Sequence, residues 1–175
     1  MTDRTLLLLR HAKSSWDDPA LADLDRPLAP RGETAAPVMG AEMARRGWQP
    51  ELALVSPSRR TRETWALVAP HLAEPPAEVF PERLYMAGAD DLMSLVREAP
   101  APVETLLVVG HNPGIEDFAA LLAGDGSAAE ALDRMRTKFP TGALTRFDCA
   151  GDWRDLSPGS ARLTHFLRPR DLITS

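Results

Sequence analysis

Three short apolar runs most restrict how this chain can fold: Thr5–Leu9 (TLLLL), Leu52–Val55 (LALV) and Thr105–Val109 (TLLVV). None of them alternates with polar residues, so each reads as a strand buried on both faces. Longer stretches with helical spacing lie between them. Pro30–Arg46 reads as a helix closed by Gly47, with Pro37 expected to kink it. Ser56-Pro57 reads as an N-cap followed by proline at the first helical position, opening a helix to about Val68. Val79–Phe80 reads as a weak strand, Asp90–Arg97 as a short helix and Pro113–Leu122 as the helix after the third apolar run. Ala143–Phe147 and Arg162–Leu167 read as later strands. Doubly covered strands separated by helices imply an α/β fold, a mainly parallel central sheet with helices on both faces.

The 175 residues suit one domain spanning 1–175, and the proline-rich stretches "APHLAEPPAEVFPE" and "REAPAPVE" read as connections inside it. A net charge of −5 argues against a nucleic-acid partner held by overall charge. No apolar run approaches the roughly 18 residues of a membrane span, and the N-terminal run is too short for a signal peptide. The single cysteine, Cys149, has no internal disulfide partner, which points to a reducing cytoplasm and a small buried residue.

The chemistry gathers where the apolar runs stop. Leu9 is followed by Arg10-His11, Val55 by "SPSRRTRET" and Val109 by "GHNPG". In parallel sheets the ligand lies beyond the carboxyl ends of the strands. If these strands are neighbours, two histidines and at least two arginines converge on one crevice. Arginine forks match phosphate oxygens, and a neutral imidazole can attack phosphorus and carry it. The remaining groups would stabilise charge on the equatorial oxygens of the transferring phosphoryl. With that much positive charge from side chains, neither a metal nor another cofactor is expected. The bound phosphoryl, rather than a protein carboxylate, is expected to balance the charge.

Within "SPSRRTRET", helical spacing places Thr61, Thr64, Trp65, Val68 and Leu72 on the core-facing stripe. Arg60 and Arg62 flank that stripe on opposite sides and Arg59 points away. Periodicity does not choose between Arg60 and Arg62, although Arg60 lies nearer the anion-favouring helix start.

"LLRHAKSSW" resembles the Arg-His-Gly signature of the histidine phosphatase superfamily, the phosphoglycerate-mutase-like fold. "SPSRRTRET" resembles that family's second motif, "VVGHNPG" its second-histidine motif, and "DRPLAPRGETAA" the segment that links the first two. The short chain and "GHNPG" look most like the SixA-type phosphohistidine phosphatases. The resemblance implies a three-layer sandwich with His11 as nucleophile and Arg10, Arg60 and His111 holding the phosphoryl oxygens. Two positions depart from the pattern: Ala12 replaces the usual glycine, and Asp17 stands where mutase-like members carry asparagine. Glu82 in "FPERLYMAG" is the nearest match to the family's acid, though its spacing fits poorly. Lys13, Ser14 and Asn112 are candidate phosphate or substrate contacts, with a plain polar loop as the alternative for the first two.

The poor acid motif favours P–N cleavage. An imidazole leaving group has a pKa of ~6.5, against about 15.7 for water as parent of an alkoxide. The expected substrate is therefore a phosphohistidine on a protein. The rivals are a small-molecule phosphoester and a phosphate-binding module without catalysis. His71 reads as a helix-end residue, His165 as a packed strand residue, and Trp16, Trp48, Trp65 and Trp153 as packing residues. A zinc site from His11, His111 and Cys149 has no ligand spacing behind it.

Overall fold

In the computed structural model, which describes residues 3–173, the leucines of β1 (Arg4–Arg10) point alternately into two separate cores. Leu6 and Leu8 join one, Leu7 and Leu9 the other, and none of the four is more than 1% exposed. That double burial is why the run carries no polar alternation. The same division holds for β2 (Leu52–Val55) and β4 (Thr105–Gly110), whose successive side chains enter opposite cores.

Between these strands lie α1 (Pro30–Arg45), α2 (Arg59–Val68), β3 (Ala77–Val79) and α3 (Ala89–Arg97). After β4 come α4 (Gly114–Leu122), α5 (Ala129–Thr137), β5 (Leu144–Cys149), β6 (Ala161–Leu167) and the short α6 (Pro169–Leu172). The six strands form one sheet in the order β3-β2-β4-β1-β5-β6. β1, β2, β3 and β4 run parallel, and β5 is antiparallel to both its neighbours. α1 and α2 cover one face, while α3, α4 and α5 cover the other, completing the three layers.

β2, β4 and β1, the three strands with loaded ends, are immediate neighbours. The chain leaves β1 toward α1 on one face and leaves β4 toward α4 on the other. Adjacent strands whose connections part to opposite faces open a crevice at their carboxyl ends. Because β5 runs antiparallel, its N-terminal loop arrives at the same edge, with Leu144 paired to Leu9.

Several local expectations change. Ser58, not Ser56, caps α2, its hydroxyl accepting from the Thr61 amide. Ser56 instead continues the ladder past β2, its amide donating to Val109, and is fully buried. The stripe Thr61, Thr64, Trp65, Val68 and Leu72 is buried as the spacing indicates. α1 closes at Arg45, one residue before Arg46, with Pro37 inside it. The weak strand is Ala77–Val79, exposed at the sheet edge. α5 has no counterpart in the sequence reading: only Ala131 and Met135 of its nine residues are buried, too thin a stripe for periodicity to reveal. Trp16 is 71% exposed rather than packed. Cys149 pairs with Arg4 at the opposite end of β1 from His11, and burial pushes its thiol up to about 12. No helix among the described residues is long and apolar enough to cross a membrane.

Candidate active site

The carboxyl edge of β1, β4 and β2 forms the floor of a cavity of about 270 Å³ lined by Arg10, His11, Arg60 and His111. The sheet ladder itself places them. Arg10 pairs with Gly110, the His11 amide donates to the Gly110 carbonyl, and His111 follows one residue later. Arg60 enters from the first turn of α2 and is 3% exposed, whereas Arg62 faces solvent. The helix position left open by periodicity is therefore Arg60.

The histidine tautomers follow from their partners. His11 Nδ1 lies 2.7 Å from the Ala12 carbonyl oxygen, which only accepts, so Nδ1 carries the proton and Nε2 the lone pair. Burial, followed by the charges of Arg60, Arg10 and Arg26, lowers the His11 pKa to about 4. His111 Nδ1 lies 3.3 Å from an Arg60 nitrogen that only donates, so its Nε2–H donates to Ser56 Oγ at 2.7 Å. Burial and the Arg60 charge lower its pKa to about 3. Both rings are neutral at pH 7, with centroids 5.5 Å apart.

Supporting bonds fix the cationic groups. Arg10 Nη1 donates to the Phe139 carbonyl at 2.7 Å, and the Gly142 amide donates to the carbonyls of Arg10 and His11. The Ala12 amide donates to Thr64 Oγ1 at 3.0 Å, tying the loop after His11 to α2. Ala12 is fully buried, and Met86 is the one non-glycine residue with positive φ among those described. Alanine in place of glycine at position 12 therefore carries no backbone strain.

Asp23 corrects the expectation that no protein carboxylate balances this charge. Its backbone carbonyl accepts from Arg60 Nη1 at 2.7 Å and its Oδ2 from Nη2 at 3.0 Å. Its carboxylate also accepts from Tyr85 and Arg26. The Tyr85 hydroxyl and the two arginines hold its pKa down to about 2.

The other candidates divide. Lys13, Ser14 and Asn112 line the cavity. Ser14 Oγ accepts from Arg26 at 3.2 Å, and both ends of the Asn112 amide are engaged, with Glu116 and Phe139. Glu82 is exposed and is not among the lining residues; neither is Asp17. The segment "FPERLYMAG" does reach the site, but through Tyr85, which bonds Asp23, and Met86, which lines the cavity. The 3-10 turn at Glu82–Leu84 points the glutamate outward and buries Leu84 instead. Asp23, Arg26, Tyr85, Met86 and Thr141 escaped the sequence reading because they sit on loops without periodicity. Arg26 falls within "DRPLAPRGETAA", and no other sequence signal marks it. Among the described residues, no His, Cys, Asp or Glu side chains group as metal ligands do.

This arrangement suits an anion with tetrahedral oxygens. Fixed guanidinium donors face two neutral imidazoles, one with a free lone pair. A model of the histidine phosphatase superfamily (branch 1) matches residues 6–82. An uncharacterized protein of Mycobacterium tuberculosis is 37% identical over 163 residues, covering 93% of this chain and 100% of its own length. A solved structure from Nakamurella multipartitia, provisionally assigned as the phosphohistidine phosphatase SixA, is 31% identical with a TM-score of 0.83, over 97% of this chain and 98% of that one. One from Agrobacterium tumefaciens, assigned in the same provisional way, is 28% identical with a TM-score of 0.80, over 95% and 98%.

Proposed function

The chain belongs to the histidine phosphatase superfamily, and from that premise we propose that it removes the phosphoryl group from phosphohistidine on a protein, with His11 as nucleophile. His11 Nε2 forms a bond to phosphorus as the P–N bond to the substrate imidazole breaks. The substrate ring, protonated on its other nitrogen, departs as neutral imidazole and keeps the P–N electron pair as its lone pair. Water then attacks the phosphoryl on His11, inorganic phosphate leaves, and the Nε2 lone pair is restored.

A buried neutral His11 is available for attack throughout the physiological range. Arg10 and Arg60 supply the positive charge that a divalent metal supplies in other phosphoryl-transfer sites. The incoming anion competes with Asp23 for Arg60. Its negative charge also favours a proton on His111 Nδ1, which turns that ring from acceptor into a donor toward a phosphoryl oxygen.

The observation that carries the substrate assignment is the state of Asp23. It is the single carboxylate among the residues lining the cavity, and with a pKa of about 2 it is ionised at neutral pH. An ionised carboxylate cannot protonate an alkoxide, so a serine or sugar phosphate would leave unassisted. An imidazole needs no such help. The cavity mouth adds support for a protein substrate: Trp16 and Met86, which border it, are 71% and 52% exposed. A cytoplasmic setting belongs to the same proposal and rests on the free, buried Cys149.

The test is kcat/KM on a phosphohistidine peptide beside a phosphoserine peptide and a sugar phosphate. The proposal expects the phosphohistidine peptide to be strongly preferred. Rapid turnover of an alkyl phosphate with none of phosphohistidine would overturn it. Vanadate binding without turnover of any substrate would leave a binding module.

A further inference from the structure

A second, larger hollow of about 520 Å³ adjoins the catalytic cavity and shares Lys13 and Thr141 with it. Its walls are the start of α1 and the short α6. Lys13, Arg31 and Arg170 line it, no acidic residue does, and all three cations are exposed. None of the three makes an ion pair or a side-chain hydrogen bond among the described residues. Nearby on α1 and at the start of α6, Arg45 and Arg46 face Glu42, and Arg168 faces Asp171. An unmatched basic groove on a chain of net charge −5 is a local exception.

The groove and the cavity are built as one unit. A Cβ on Gly32 would fall 2.2 Å from the Lys13 carbonyl oxygen, so α1 lies directly on the backbone that follows His11. A Cβ on Gly142 would meet the Pro169 ring at 2.8 Å, which joins the loop after α5 to α6 in the same way. A substrate whose phosphoryl group reaches His11 must therefore send its neighbouring atoms toward the rim, and one open direction carries three cations.

Resting on the phosphohistidine reading above, we propose that this groove receives acidic side chains flanking the phosphohistidine of a protein substrate. The exposure of the cations selects that chemistry. A second phosphoryl group would call for buried, converging donors like Arg60, whereas solvated carboxylates on a peptide pair with cations that remain wet. The apolar parts of the wall, Pro30, Ala35 and Ile173, suit the chain between such carboxylates.

Two phosphohistidine peptides test this, one flanked by Asp and Glu and one by Ser and Asn, with phosphoramidate as a small substrate. Wild type is expected to favour the acidic peptide about tenfold in kcat/KM at low salt, with the advantage shrinking as salt rises. R31E/R170E should abolish the preference, R31Q/R170Q should reduce it, and phosphoramidate turnover should stay unchanged in both. Equal kcat/KM for the two peptides, or a preference indifferent to charge reversal, would overturn the proposal. So would a charge-sensitive preference for a small bisphosphate over the acidic peptide. Fluorescence anisotropy with a labelled, unphosphorylated Asp-rich peptide is independent of turnover. It decides the groove even if no phosphohistidine peptide is hydrolysed: binding lost in R31E/R170E supports it, and absence of binding to wild type contradicts it.

Discussion

The floor of the cavity and its rim are built by different means. On the floor, His11, His111 and Arg60 are 6%, 4% and 3% exposed, and each follows directly from a strand end or the first turn of a helix. On the rim, Trp16 and Met86 are more than half exposed, the Asp23 side chain is 44% exposed, and all three sit on connections outside the α-helices and strands. A ladder-held floor fixes His11 and the cationic donors without reorganisation. A rim of loop residues is free to exchange partners, as the proposed displacement of Asp23 from Arg60 by a phosphoryl group requires.

Removing a floor donor should break the chemistry itself. Arg60→Ala is expected to lower kcat about 10²- to 10³-fold on any phosphorylated substrate. A loss confined to KM would instead put Arg60 with the rim.

The pH dependence of stability separates the two regions next. His11 and His111 have folded pKa values of about 4 and about 3, below the ordinary 6.5 of an unfolded histidine. The unfolded chain therefore binds more protons in that interval. Their contribution is complete above pH 6.5 and is lost as pH falls toward 3. Urea midpoints should drop across that window, and His11→Asn or His111→Asn should flatten the slope. Asp23 acts lower: its carboxylate stabilises above the unfolded value of 3.8, and the effect fades as pH falls through about 2.

The smallest effect is expected on the rim. Asp23→Asn removes a negative charge that competes with the ligand, and vanadate should bind about fivefold tighter, near 1 kcal/mol for a half-exposed pair. Weaker binding would mean that Asp23 serves mainly to orient Arg60.

Legibility followed the same division. The four-leucine run, the LALV and TLLVV strands and the groups at their ends were readable, because double burial removes polar alternation and strand ends are the sites where an α/β sheet presents chemistry. Arg60 needed one further fact, the side of α2 that faces β4, which helical spacing alone leaves symmetrical with Arg62. Asp23, Tyr85 and Thr141 act through contacts between loops far apart in sequence, and no local pattern marks such meetings. Glu82 misled for a related reason: its stretch does reach the site, but the 3-10 turn aims Tyr85 and Met86 inward in its place. Ser56 looked like a cap because Ser-Pro often is one, while the ladder carries it one residue past β2 to meet His111.

The most direct test of covalent catalysis is mass spectrometry of rapidly quenched protein after reaction with a phosphohistidine peptide or acetyl phosphate, kept alkaline because phosphohistidine is acid-labile. A phosphoryl group on His11 in wild type is predicted, with the label absent and turnover reduced at least about 10³-fold in His11→Ala. Normal turnover by His11→Ala, or a phosphoryl group carried on another residue, would contradict the account.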